Sequence, residues 1–314
     1  MTVGLVIQVV IAGLAAGAVY GLVAIGFTLV YRLTSVLQFA HGDLVGGSLF
    51  LAIVIQSGTG PVTATSPSVV RYLLAVALTL GAAAIAGVLV YAFVVRPFSR
   101  RGSAIGWIGA TVALAFVIQG ALAAAFPREA YVITDPFPFS RWRPIGLPSG
   151  ASLPPRTLFV LAIGIVLAVG AGFLLTRSRF GRAVSAISSE PLGAQIAGLP
   201  VDRLTATAFA LAGILAAAAG LIGSPSAGAV GTQTGLLLGL KAIAAALIGG
   251  LASPARVFVA ALGIGIVEAA VATLHVPGVP RLALGPAWRD IAPLLIAVLV
   301  VVFRSRRDLT EAVE

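Results

Sequence analysis

Charge is what this sequence has least of. Only 10% of its 314 residues are Asp, Glu, Lys or Arg, against 59% hydrophobic, and mean hydropathy is +1.10. No water-soluble core needs that much apolar surface, so soluble classes are excluded and a polytopic helical membrane protein is implied. Cysteine is absent, which removes a disulfide framework, a thiolate metal site and a cysteine nucleophile. Histidine occurs only as His41 and His275, with no ligand cluster beside either, and neither HExxH nor GxSxG is present. Metal and hydrolase sites are therefore not expected. GxxxxGK[ST] is missing too; the nearest spacing, Gly235 to Ala242, lacks both the second glycine and the hydroxyl, so no P-loop binds ATP here. No cofactor is called for, and the chain is not expected to be an enzyme.

What charge there is has a sign and a place. The formal net charge is +10, and its basic residues sit mostly in short loops between apolar runs, where they orient the chain in a bilayer rather than meet nucleic acid. The N-terminus has neither a basic n-region nor a small-residue cleavage site, so its apolar run is expected to stay as a span. Apolar runs cover residues 5–31, 72–95, 104–126, 157–176, 204–223, 257–274 and 291–303, with shorter ones at 44–56 and 235–250. The count gives eight or nine crossings in a single domain over 1–314. With nine, the N-terminus lies outside and the C-terminus inside. Arginines at 96–101 and after Phe303 mark cytoplasmic ends. The segment 127–156 falls outside by span count, although Arg128, Arg141, Arg143 and Arg156 pull the other way.

Glycine is abundant, at 37 residues. Gly13, Gly17 and Gly21 form an i+4 stripe that lets another helix approach closely, and intramolecular packing is its expected use. Gly231, Gly235 and Gly239 repeat that spacing. The two short runs lie in different halves of the chain, each a half-helix or a tilted span. Such a matched pair is the arrangement of a transport pathway built from two repeats.

The longest polar island that carries its own pattern is 177–203, RSRFGRAVSAISSEPLGAQIAGLPVDR. Its arginines place it in the cytoplasm, and about 27 residues exceed a simple connection. After Gly181 and Arg182, Val184 and Ile187 share a helical face until Ser188-Ser189-Glu190 interrupts. Pro191 then opens a second short helix with Leu192 and Ile196 on one side, closed by Gly198 in a left-handed conformation and by Pro200. Asp202 is expected to be the N-cap of the next apolar run. Two short helices on the membrane surface result, with apolar faces that seat in a cleft on another protein.

Ionisable residues inside apolar runs cost roughly 2.5–3.5 kcal/mol at a bilayer centre and must face protein, cavity or interface. His41 with Asp43, Lys241 and Glu268 are such residues. Each has a plain alternative beside a place in a pathway: Asp43 as N-cap of the run at 44–56, Lys241 snorkelling to the interface, and Glu268 as a hydrogen-bonded buried carboxylate.

Three stretches resemble the permease subunits of ABC importers for branched-chain amino acids, specifically the shorter of their two permease types. GLVAIGFTLVYRLTSVLQFAHGDLVGGS at 21–48 is similar to the family's first-span signature and its Asn-Phe-Ala-His-Gly-Glu element. FGRAVSAISSEPLGAQIAGLPVDRLTATAFALAGILAAAAG at 180–220 resembles its Gly-Arg-Ala cytoplasmic loop and next span. LKAIAAALIGGLASPARVFVAALGIGIVEA at 240–269 resembles its Lys-Ala run and Gly-rich helix with Glu. Gln38, Asp43, Ala252 and the pair Ala255-Arg256 depart from the usual Asn, Glu, Gly and Gly-Ala. The resemblance implies an all-α polytopic bundle in the cell inner membrane, surrounded by lipid. It implies a second similar permease, two cytoplasmic ATPase subunits and an extracytoplasmic solute-binding protein. Branched-chain amino acids are its substrate class, with urea, short amides and small acids also carried in the family. Gly181, Arg182, Ile187, Glu190, Ile196, Gly198 and Asp202 are then the coupling residues, and His41, Asp43, Lys241 and Glu268 the pathway candidates. An ion-coupled secondary transporter is the alternative, and it requires a coupling-ion site that this charge-poor interior barely offers.

Overall fold

In a computed structural model, the protein is described at residues 3–57, 68–99, 104–127, 131, 139, 142–148, 150–227, 230–251 and 253–273, and at 290, 291, 294, 295, 298–300 and 302. The loop at 275–289 and the tail after Phe303 lie outside the described residues, as does much of the expected last span.

The described chain is helical apart from one two-residue hairpin, Ile145–Gly146 (β1) paired antiparallel with Ser152–Leu153 (β2). Among the described residues, six helices are long and apolar enough to cross a bilayer. They are α1 (Val3–Thr34), α3 (Val69–Leu89) with its continuation to Phe98, α5 (Ala104–Ala125), α6 (Pro155–Arg177), α9 (Val201–Ala227) and α11 (Pro254–Thr273). Two shorter apolar helices, α2 (His41–Ser57) and α10 (Thr234–Gly249), sit among them. The remaining helices are α4 (Arg96–Ser99) and the surface pair α7 (Arg179–Ser189) and α8 (Pro191–Ile196).

Glycine sets how closely the central helices approach. On α1, a Cβ at Gly13 would lie 2.5 Å from the Ile266 Cα, and one at Gly17 2.6 Å from the Leu262 Cα. The stripe is therefore consumed within the chain, against α11, where Gly265 meets the α1 backbone in return. Without a hydrophobic drive between helices in lipid, such backbone proximity supplies the dispersion contacts that hold the bundle. The same device joins the short helices. Gly42 and Gly46 of α2 face Gly235 and Gly239 of α10, and a Cβ at Gly42 would meet the Gly235 carbonyl oxygen at 2.6 Å.

The depth at which α2 starts decides between half-helix and tilted span. The chain leaves α1 at Thr34, turns through Ser35 at φ +56° and runs without helix to Ala40. His41, the first residue of α2, packs against Gly26 of α1. Gly26 stands eight residues before Thr34, about 12 Å up the helix at 1.5 Å per residue. Thus α2 begins inside the bundle, as a half-helix entered from a re-entrant segment. Gln38 and Ala40 of this non-helical segment are buried against protein, whereas Ser35 and Phe39 are exposed. Asp43 is in consequence not the N-cap. The helix starts two residues earlier, and Asp43 lies within its first turn.

Polar contacts sort the helix ends onto two faces. At one end Arg96 bonds Asp202 and Arg32 donates from Nη2 to Ser185 Oγ at 2.9 Å. At the other, Gln8 donates to the Ser152 carbonyl at 2.9 Å, and Tyr131 and Val230 exchange backbone bonds. The first face carries the arginine-rich segments, including 96–99 and 177–203. The second carries the β-hairpin of the segment 127–156.

Candidate functional site

Lys241 is the centre of a buried ion cluster. Its Nζ lies 3.0 Å from Glu268 Oε2 and 2.6 Å from Asp290 Oδ1. Tyr20 Oη donates to Glu268 Oε2 at 2.6 Å, and the Lys241 ammonium sits 5.2 Å from the Tyr20 ring centroid. Helix packing explains the convergence. The glycine stripe brings α1 antiparallel onto α11, close enough for the Tyr20 and Glu268 side chains to reach toward each other along the crossing, and α10 presents Lys241 to both. The side chains of Lys241 and Glu268 are 6% and 2% exposed, against 42% for Asp290, so the cluster has one sheltered acid and one open acid. Lys241 does not snorkel to an interface. The two charges that sequence could place only in separate segments meet directly.

Above this cluster lies a cavity of about 370 Å³, lined by α1, α2, α6, α9 and α10. Lys241, Asp290 and Tyr20 line it, with Thr157, Ser224 and Thr234 as further polar groups, and its remaining lining is small or aliphatic, including Ala16, Val19, Leu49 and Leu237. An apolar concavity of that size with a few convergent polar groups fits a small-molecule site. Glu268 lines instead a second space of about 320 Å³ between α1 and α11.

His41 and Asp43 form a separate group that lines neither space. The His41 ring stands edge-on to Phe27 at 4.6 Å, and its Nε2 has no partner among the described residues. Asp43 Oδ1 accepts from Gln119 Nε2 at 2.9 Å, while its Oδ2 and the nearby Gln38 Nε2 have none among them. Residue-level reasoning missed Gln119, Tyr20 and Asp290. Tyr20 and Gln119 carry hydrogen-bonding groups inside apolar runs, and Asp290 precedes one, which is the signal that was there to find.

At the face carrying the arginines, α7 and α8 form the two short surface helices. Ser178 caps α7 by accepting from the Gly181 N–H at 3.0 Å. Gly181 itself lies against the Leu175 carbonyl, where a side chain has no room. Arg182 and Glu190 are exposed, and Glu190 is the joint between the helices. The Gly198 N–H bonds the Gln195 carbonyl and the Leu199 N–H bonds the Ala194 carbonyl, both at 3.0 Å, with Gly198 at φ +80°. That is a Schellman end, and it has the left-handed glycine its sequence called for.

Two expectations for this loop require correction. Ile187 is 1% exposed and turned into the bundle, whereas Ile196 is 80% and Leu192 64% exposed. Only α8 offers an outward apolar face. Because α7 is amphipathic and lies on the bundle, its Val184–Ile187 face is used up internally. Asp202 is not an N-cap. It lies in the first turn of α9 and accepts from Tyr91 Oη at 2.8 Å and Arg96 Nη2 at 2.7 Å. Those donors stack on one face because residues 90–95 are π-helical, with the Arg96 N–H bonded to the Tyr91 carbonyl five residues back.

A bundle of helices long and apolar enough to cross a membrane, packed around a polar-floored cavity with a helical pair on one face, is the architecture of a multi-pass membrane protein. The chain belongs to the family described as branched-chain amino acid transport system / permease component, which it matches over residues 9–302. It is 24% identical over 301 residues to the high-affinity branched-chain amino acid transport system permease protein BraD of Pseudomonas aeruginosa, covering 95% of this chain and 94% of that one. To LivH of Escherichia coli strain K12, a permease protein of the same description, it is 25% identical over 304 residues, covering 92% and 90%. The autoinducer 2 import system permease protein LsrC of Klebsiella pneumoniae matches more locally, 40% identical over 87 residues, 28% of this chain and 25% of that one. No solved structure matches.

Proposed function

We propose that this chain is the membrane-spanning permease of an ATP-driven importer for branched-chain amino acids or a closely related small polar solute. The solute arrives from an extracytoplasmic binding protein, passes through the cavity above Lys241, and is driven by two cytoplasmic ATPase subunits acting also on a second, similar permease. The observation that carries the coupling half is α8. A rigidly capped helix with Leu192 and Ile196 exposed beside the arginines of 177–203 is a protein-docking surface, since exposed large apolar groups at a polar rim mark such sites. Closure of the ATPases moves α6 and α9, which the pair α7–α8 joins. The family match and the likeness to permease proteins of branched-chain amino acid transport systems support this reading over the ion-coupled alternative.

The test is ATPase co-purification and binding-protein-stimulated ATP hydrolysis. Ile196→Asp is expected to lose the ATPase subunits and stimulated hydrolysis while the permease itself folds and inserts. Retention of both at wild-type level would show that α8 is not the coupling element.

A further inference from the structure

The Lys241 cluster holds an asymmetry that the transport reading leaves unused. One ammonium faces two carboxylates, and of these Glu268 lies outside the cavity while Asp290 lines it with Lys241. Glu268 is also fixed by the Tyr20 hydroxyl. The Lys241–Asp290 bond can therefore open without stranding the lysine, which keeps its buried partner, while Asp290 is itself 42% exposed and lines the cavity. What opens is one cation and one anion side by side on the floor of a mainly apolar space whose other polar groups, Tyr20, Thr157, Ser224 and Thr234, are uncharged.

We infer that Lys241 and Asp290 are the specificity pair for a zwitterionic α-amino acid, the ligand carboxylate replacing Asp290 on Lys241 and the ligand ammonium taking Asp290. The exchange breaks one ion pair and makes two, which offsets the cost of taking the ligand's two charges out of water, and the aliphatic side chain lies against Val19, Leu49 and Leu237. A ligand with only a carboxylate separates Lys241 from Asp290 and leaves that acid unpaired beside a second anion. A ligand with only an amine gives Lys241 nothing in return. An uncharged amide or urea compensates neither group. This assignment rests on the cavity being the solute pathway, and it narrows the solute class to zwitterions.

The experiment is equilibrium binding to the assembled complex of permeases and ATPase subunits in lipid nanodiscs, with the solute-binding protein left out so that its own selectivity does not intervene. Labelled L-leucine is competed with isoamylamine and with 4-methylpentanoate, which each keep the side chain and one charge. In the wild type each analogue should bind at least about tenfold more weakly than leucine, as expected for loss of one charge-assisted contact. Asp290→Asn should bring leucine down about tenfold, to the level of 4-methylpentanoate, and leave 4-methylpentanoate no weaker. Asp290→Glu should recover most of the preference.

Equal binding of leucine and 4-methylpentanoate in the wild type overturns the inference without any variant. So does an Asp290→Asn complex that keeps its preference, or one that loses leucine and 4-methylpentanoate alike, since the latter makes Asp290 a structural strap. Absence of leucine binding in a complex that transports leucine when given its binding protein rejects this site and leaves the proposed function standing. Transport of an uncharged amide with no zwitterion carried rejects the zwitterion assignment and leaves the importer role, with a related small polar solute, standing.

Discussion

At the scale of single residues, the Lys241 cluster pairs buried charge with opposite charge, whereas buried Asp43 is met by the Gln119 amide. Lys241 and Glu268 are almost fully enclosed, and removing one member of such a pair leaves the other buried and uncompensated, a loss of roughly 3–5 kcal/mol. Lys241→Met should therefore destabilise the permease strongly, lowering its unfolding temperature in detergent. The double variant Lys241→Met/Glu268→Met should recover most of that loss, because it removes both nearly enclosed charges and Asp290 is 42% exposed. Equal destabilisation in single and double variants would mean that the two charges act independently. Glycine offers a second case. Valine at Gly17 meets backbone of α11 rather than a side chain that can rotate away, so the penalty should reach or exceed the upper end of ~1–3 kcal/mol for overpacking. Gly81→Ala, on α3 with nothing within 4 Å of the added carbon, should leave the melting temperature unchanged or slightly raised. A Gly17→Val protein as stable as the wild type would show that the α1–α11 crossing is not backbone-limited.

At the scale of the element, α7 and α8 divide labour although their sequences look alike. Both carry apolar residues at helical spacing, but α7 spends its face on the bundle and α8 turns outward. Ile187→Asp should then behave as a core lesion, reducing the yield of folded permease, whereas Ile196→Asp should leave yield intact. Comparing monodisperse yield by size-exclusion chromatography checks the contrast, and similar yields for the two would contradict the division. Gly198→Val should cost roughly 1–3 kcal/mol, since φ +80° strongly disfavours a β-branched residue. Periodicity revealed that these helices exist and where Pro191 and Gly198 begin and end the second. It was silent on which way each face turns, because that depends on how α6 and α9 place the loop against α1. For the same reason Asp202 read as a cap. Its donors, Tyr91 and Arg96, come from more than a hundred residues away.

At the scale of the whole molecule, the apolar runs and their glycine stripes were legible because bilayer thickness and close helix approach each impose a local pattern. The meeting of Lys241 with Glu268 was not, since it arises from three helices packed by those stripes. The two faces of the bundle follow from the same packing and set a topology that can be measured. Arg32, Arg96 and Asp202 gather at one end with α7 and α8, while Gln8, the β-hairpin and Val230 gather at the other. The arginine bias predicts that the first end faces the cytoplasm. The absence of native cysteine makes single replacements clean reporters, and two exposed serines, Ser152 on the hairpin and Ser189 at the end of α7, stand at opposite faces. An impermeant thiol reagent applied to spheroplasts should label Ser152→Cys and spare Ser189→Cys until the membrane is opened. Reversed labelling would invert the molecule, placing the cavity above Lys241 toward the cytoplasm and α8 away from any cytoplasmic ATPase. Labelling of both from outside would break the shared-face packing itself, because no assignment of α6 as a single crossing between the hairpin and α7 allows those two residues to lie on one side.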